Sequence, residues 1–198
     1  PVLSAMGHQC CPIPTAILSN HTEFPVYFFD DYTEKMTTYT DKWKELGLSF
    51  DAIATGFLGS EAQIGIVMEI VQKLKAEKTC VVDPVMGDHG HAYETYTPEM
   101  CEQMKELVCM ADVVLPNVTE CCILTDTPYR EENWTRKELL NMAMMLRLMG
   151  AKSVVITGVR EGSCYTNVVL EQGQYDAKFI RTRSSGGERP GTGDVFSS

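Results

Sequence analysis

Four short runs of branched apolar residues, at 51–58, 79–83, 111–115 and 152–157, are separated by stretches in which apolar residues return with helical spacing. Alternation of this kind is the pattern of βαβ units, so the chain is predicted to fold around a largely parallel sheet with crossover helices. Helical patterns fall at 33–46, 60–76, 97–109 and 135–149. The last carries Met142, Met144, Met145 and Met149, adaptable thioethers suited to packing on a sheet. After Gly158 the pattern changes: 163–170 and 174–180 read as two strands joined at Glu171-Gln172-Gly173, a hairpin that gives the sheet an antiparallel edge. At the front, 1–7 reads as the end of a helix and 9–18 as a strand, while the Ser, Gly and Arg content of 181–190 reads as a mobile loop.

A chain of 198 residues, 44% of them hydrophobic, buries one sizeable core, and residues 1–198 are read as a single domain. Seventeen basic against 27 acidic residues give a net charge of -10. With no Lys/Arg cluster to offset that charge, nucleic acid and anionic membrane are excluded as partners, and a polyanionic substrate needs a local site. Apolar runs stay well short of the about 18 residues of a membrane span, and no basic-then-apolar leader opens the sequence. The expectation is a soluble, cytoplasmic protein. Eight cysteines without a Cys-x-x-Cys fit free, reduced thiols in a reducing compartment.

In open α/β sheets ligands bind beyond the carboxyl ends of the parallel strands. Three predicted strands run into polar residues there: 79–82 into Asp83-Pro84-Val85-Met86-Gly87-Asp88, 111–115 into Pro116-Asn117-Val118-Thr119-Glu120, and 152–156 into Thr157-Gly158. Mg²⁺ on nucleotide phosphates takes oxygen ligands and only one or two carboxylates, a number that Asp83 and Glu120 supply. Asn117, three residues before Glu120, is also placed to cap a helix. Near the end of the chain, Gly191-Thr192-Gly193-Asp194 lets the backbone turn sharply, aim free N–H groups at one point and open a helix. Such amides stabilise charge on a transferring phosphoryl group, and the Asp194 carboxylate beside them suits a base that takes the attacking hydroxyl's proton.

Six motifs in register carry a resemblance: Leu18-Ser19-Asn20-His21-Thr22, Thr55-Gly56-Phe57, the 83–88 and 116–120 segments, Val154-Val155-Ile156-Thr157, and 191–194. Together they resemble the pyridoxal kinase branch of the ribokinase superfamily. The resemblance implies a ribokinase-like three-layer α/β sandwich, with a central mostly parallel sheet and helices on both faces, paired as a homodimer. It implies transfer of the ATP γ-phosphoryl group to the 5'-hydroxyl of pyridoxal, pyridoxine or pyridoxamine, with Mg²⁺ and, as a further candidate, a monovalent cation. Position by position, Asp194 resembles the catalytic base and Gly191, Thr192 and Gly193 the anion hole, with Thr192 and Gly193 also against the nucleotide. Asp83, Glu120 and Asp88 match the acids that organise Mg²⁺, and Asn117 and Thr157 match nucleotide-side positions. His21, Thr22 and Phe57 match the lining of the B6 ring, which Asp194 also meets. Leu115 stands where the family commonly has Thr or Ser, and Gly158 offers no hydroxyl. The family's first strand and C-terminal helices have no counterpart here, so the single domain is expected to lack them.

Two other readings compete. A hydroxymethylpyrimidine or hydroxymethylpyrimidine-phosphate kinase shares the Asp-Pro-Val and Pro-Asn-x-x-Glu features but has Cys where this chain has Asp194. A non-catalytic binder of a B6 vitamer needs neither base, anion hole nor metal acids, and this sequence holds all three.

Overall fold

The computed structural model describes residues 2–20, 24–74, 78–185 and 192–197. In chain order the elements are α1 (Val2–Ala5), β1 (Ala16–Leu18), β2 (Phe29–Asp31), α2 (Thr33–Glu45), β3 (Ala52–Thr55), α3 (Glu61–Leu74), β4 (Thr79–Val82), β5 (Gly87–Asp88) and β6 (His91–Ala92). They continue with α4 (Pro98–Cys109), β7 (Val113–Val114), α5 (Val118–Leu124), α6 (Arg136–Met149), β8 (Ser153–Glu161), β9 (Cys164–Leu170), β10 (Lys178–Arg183) and α7 (Thr192–Ser197).

Six strands form the central sheet in the order β10-β9-β8-β7-β4-β3. β3, β4, β7 and β8 are parallel, and β9 and β10 add the antiparallel edge. The parallel strands step across the sheet in one direction, and right-handed crossovers then place their helices on the same side. Val82, Val114, Val154 and Leu170 stand in register across that side and are fully buried. Against them pack α3 to α6, side by side. On the opposite face Val81, Val113, Val155 and Val169 are half-buried.

Local signals explain the helices. In α6, Thr135 and Glu138 form a reciprocal capping box, Leu139, Met142, Ala143 and Leu146 recur at helical spacing as the buried stripe, and Gly150 ends the helix in a positive-φ conformation. Burial of each large apolar side chain in this stripe contributes about 1.5–3 kcal/mol. Met142 is buried, Met144 and Met149 pack against the core from its margin, and Met145 is exposed, so the methionines serve packing. Thr97 caps α4 by accepting the Met100 N–H, and Pro98 occupies its first turn, where no N–H is missed.

Several sequence expectations are corrected. Of the expected strand at 9–18, only Ala16–Leu18 pairs, because Pro12 and Pro14 have no N–H to give a ladder. β1 instead joins β2 in a separate two-stranded ribbon, Ala16 opposite Asp31. The strand expected to end at Thr157 runs on to Glu161 through a bulge between Ile156 and Val159, with Gly158 at φ +69° in the left-handed region. The second hairpin strand begins at Lys178 rather than at 174, after a longer connection than Glu171-Gln172-Gly173. Arg181 and Arg183, expected in a loop, belong to β10, where Arg181 pairs with Glu161 at 3.3 Å. Of the rest of that expected loop, the Ser184 N–H donates to Ser163 O at 3.0 Å, Ser185 is exposed, and 186–190 lies outside the described residues. All eight cysteines are free, as expected. No helix among the described residues is long and apolar enough to cross a membrane.

Candidate active site

The carboxyl ends of β3, β4, β7 and β8 meet in one place. The Asp83 N–H donates to the Thr55 carbonyl at 3.3 Å, Leu115 N–H to Val82 O at 2.9 Å, and Thr157 N–H to Pro116 O at 2.9 Å. Thr157 also forms an isolated parallel bridge with Asn117, so the two expected nucleotide-side residues are neighbours although Thr157 lies within a strand rather than at its end. Asp83 is buried at this junction, 7% exposed.

Glu120 is held through both of its carboxylate oxygens. It is 3% exposed, and each carboxylate oxygen accepts a backbone N–H: Oε1 from Met86 at 3.1 Å and Oε2 from Asn117 at 2.8 Å. Asn117 returns the favour as N-cap of α5, its Oδ1 accepting the Glu120 N–H at 2.9 Å, while its Nδ2 donates to Gly87 O at 2.9 Å. Asn117 and Glu120 therefore form a capping box and, in the same four residues, a clasp on the 83–88 loop. One residue away, the Thr119 hydroxyl accepts the Gly90 N–H at 2.9 Å. Burial pushes the Glu120 carboxyl well above its ordinary range, the backbone N–H bonds from Asn117 and Met86 pull it down, and the negative charges of Asp83 and Asp88 raise it further.

Asp83, Glu120 and Asp88 thus share one electrostatic environment, but differ in exposure. The side chain of Asp88 is 57% exposed and its Oδ1 accepts the His89 N–H at 2.8 Å, the turn-shaping contact of an Asp in a tight loop. Among the described residues no group of three His, Cys, Asp or Glu side chains is arranged as a closed metal site. The donor set nevertheless fits Mg²⁺, which keeps several waters and asks for one or two carboxylates. A buried carboxyl whose proton affinity is raised by neighbouring acids is a place where a hard cation relieves repulsion.

Gly87 is required by close approach. A Cβ there would lie 2.3 Å from the His91 carbonyl oxygen and 2.9 Å from Ala92 Cα, both backbone atoms of the β5–β6 pair. Gly87→Ala is expected to force β5 and β6 apart and lower stability by about 1–3 kcal/mol, the usual cost of overpacking. A urea midpoint equal to that of the unsubstituted protein would show that the loop yields freely.

The remaining expected site residues fall elsewhere. Phe57 follows β3, its carbonyl accepting the Thr15 hydroxyl at 2.9 Å. Thr192 and Gly193 are exposed at the start of α7. The Asp194 backbone is helical within α7, but its side chain, like His21, Thr22 and Gly191, lies outside the described residues. Sequence reasoning missed Gln63, a fully buried amide on the apolar face of α3, and Thr119. The signal for Gln63 was available: a polar residue between Glu61 and Ile64, on the side of the helix that packs inward.

A sheet that gathers buried acids and a capped helix N-terminus at its carboxyl ends belongs to the α/β proteins that bind ligand in that crevice. The phosphomethylpyrimidine kinase family model matches residues 2–198, and the chain belongs to that family. A Bacteroides thetaiotaomicron protein assigned as a phosphomethylpyrimidine kinase, in a crystal form with pyridoxal, is 38% identical with a TM-score of 0.92, covering 100% of this chain and 70% of that one. Pyridoxal kinase from Lactobacillus plantarum is 28% identical with a TM-score of 0.86, covering 99% of this chain and 69% of that one. Pyridoxal kinase of Arabidopsis thaliana is 28% identical over 167 residues, 81% of this chain and 52% of the plant protein. The chain spans about half the length of curated relatives that it matches, 47% and 52% for two of them.

Proposed function

We propose that the protein is an ATP-dependent kinase of B6 vitamers that phosphorylates the 5'-hydroxyl of pyridoxal, pyridoxine or pyridoxamine. The observation that carries this reading is the buried Asp83–Glu120 acid pair beside the capped start of α5, at the carboxyl ends of the parallel strands. The pyridoxal held by the 38% identical Bacteroides relative supports the choice of acceptor.

In this reading Asp194 takes the proton from the vitamer hydroxyl, and the amides of Gly191, Thr192 and Gly193 stabilise negative charge on the phosphoryl group in transfer. Asn117 and Thr157 face the nucleotide, and His21, Thr22 and Phe57 line the vitamer ring. Asp83 and Glu120, with Asp88 at the rim, would hold Mg²⁺ through its waters; when bound, the ion supplies charge neutralisation on the phosphates. The Asn117–Glu120 clasp keeps the 83–88 loop in place, so the acids meet their ligand without reorganising. The family resemblance supports a cytoplasmic location and a homodimer, and sedimentation of the purified protein tests the dimer by its mass.

The name of the family favours one second reading, phosphorylation of a hydroxymethylpyrimidine. ADP release measured with pyridoxal and with hydroxymethylpyrimidine, side by side, separates the two. The B6 reading expects turnover with pyridoxal at a kcat/KM at least tenfold above that with the pyrimidine, and the reverse ratio overturns it.

A further inference from the structure

Gln63 is fully buried, yet its side chain uses both ends of its amide. Its Oε1 accepts the Gly59 N–H at 2.8 Å, and its Nε2 donates to Thr15 O at 2.8 Å, to Thr33 Oγ1 at 3.0 Å and to Asp31 Oδ1 at 3.2 Å. These partners are far apart in sequence but have one geometric relation. Thr15 immediately precedes β1 and Asp31 ends β2, so Gln63 grips both feet of the two-stranded ribbon at once. Gly59 closes the loop that follows β3 and contains Phe57.

Independent contacts tie the same two parts. The Thr15 hydroxyl donates to the Phe57 carbonyl, and a Cβ at Gly59 would lie 3.3 Å from the Phe29 ring of β2 and 3.4 Å from the Phe57 ring. The Thr33 N–H donates to Asp31 Oδ1 at 2.6 Å, and the Thr33 hydroxyl also reaches that oxygen, which holds the Asp31 carboxyl below its ordinary range. The ribbon has little core of its own: no residue of β1 or β2 is fully buried, Ile17 is 48% exposed, and Val26 and Phe28 in the stretch before β2 are 81% and 66% exposed. Its placement is therefore decided at its feet. A buried amide with every group satisfied is worth keeping only where its several partners must hold one geometry, since an apolar residue would fill the same space without a desolvation cost.

We infer that Gln63 is a positioning residue, which locks the feet of the β1–β2 ribbon to the Phe57 loop and through that loop sets the affinity for the vitamer without touching it. The inference rests on the proposed B6 reading for the identity of the ligand. Two variants test it: Gln63→Leu, which removes every bond of the Gln63 amide, and Thr15→Val, which removes only the hydroxyl bond to the Phe57 carbonyl. Equilibrium titration of the purified protein with pyridoxal, and separately with an ATP analogue and Mg²⁺, gives the two affinities. Hydrogen exchange follows the ribbon through amides such as Ser19, which donates to Phe28 O.

For Gln63→Leu, the expected result is a pyridoxal Kd at least tenfold higher, a nucleotide Kd within twofold of the original, and faster exchange in the ribbon while β4 and β8 stay protected. Thr15→Val is expected to weaken pyridoxal about threefold, again leaving nucleotide unaffected, in line with the loss of a single hydrogen bond; this variant carries the test if Gln63→Leu does not fold. Unchanged pyridoxal binding, or equal weakening of both ligands, overturns the role of Gln63 and leaves it a core amide. Failure of the unsubstituted protein to bind pyridoxal overturns the B6 reading instead, and ribbon exchange in the variants then decides the coupling alone.

Discussion

Asp194→Asn is expected to leave binding of ATP and pyridoxal within a few fold of the original and to lower kcat by about 10²–10⁴, the range for loss of a general base. The substitution keeps the size and much of the hydrogen bonding of the side chain and removes its capacity to take a proton. Binding therefore reports on shape and turnover on chemistry. The position in the sequence argues for this split: Asp194 comes directly after Gly191-Thr192-Gly193, and its backbone lies in the first turn of α7, so in the proposed reading it sits next to the amides assigned to the phosphoryl group. Steady-state kinetics with pyridoxal, alongside an equilibrium titration of each ligand, measures both quantities. Turnover like that of the unsubstituted protein would remove Asp194 from the mechanism, and a parallel loss of binding would make it a ligand contact instead.

How far the sequence revealed the site depended on whether the governing interaction was local. The Asn117-x-x-Glu120 spacing is read within four residues, and both halves of its capping box are present. The four parallel strands were legible for the same reason, because a run such as Thr79–Val82 followed by an acid needs no distant partner to be recognised. Bounds failed where tertiary pairing set them. β7 pairs in register over only Val113–Val114, and the flanking Ala111 and Leu115 each keep a single backbone bond across, Ala111 O accepting the Lys152 N–H at 3.2 Å and Leu115 N–H donating to Val82 O at 2.9 Å. β8 outruns its pattern because the ladder to β9 continues past Gly158 after the one to β7 has ended.

Gln63 and the second role of Glu120 lie at the other extreme. Apart from Gly59, four residues away, the partners of Gln63 are Thr15, Asp31 and Thr33, 48, 32 and 30 residues away, and nothing in the local sequence names those three. For Glu120 the sequence suggested an acid for Mg²⁺ and, in its spacing from Asn117, a cap. It did not suggest that the same carboxylate would accept the Met86 N–H from 34 residues away and so fasten the loop that carries Asp83 and Asp88.

That double duty makes Glu120 the residue whose loss should cost most in stability. Glu120→Ala leaves the Met86 and Asn117 N–H groups without their acceptor in a buried site, at about 1–3 kcal/mol for each donor, and opens a cavity besides. Chemical denaturation is expected to show a loss of several kcal/mol. A surface-like change of a few tenths would mean that water replaces the carboxylate. Glu120→Gln keeps the volume and one of the two acceptor oxygens, so it loses the charge and half of the clasp and should cost less stability than Glu120→Ala. Burial holds the native carboxyl above its unfolded value, so between those two values the folded chain carries the extra proton, and stability falls as pH rises through the native pKa. The glutamine variant has no proton to lose, so its stability curve should be flatter across that window. If Glu120 helps to hold Mg²⁺ as proposed, Glu120→Gln should raise the Mg²⁺ concentration for half-maximal rate more than it weakens pyridoxal, because it removes a negative charge from the acid cluster. A flat pH difference would mean that Glu120 does not titrate there, and an unchanged Mg²⁺ requirement would leave the residue with the clasp as its whole role.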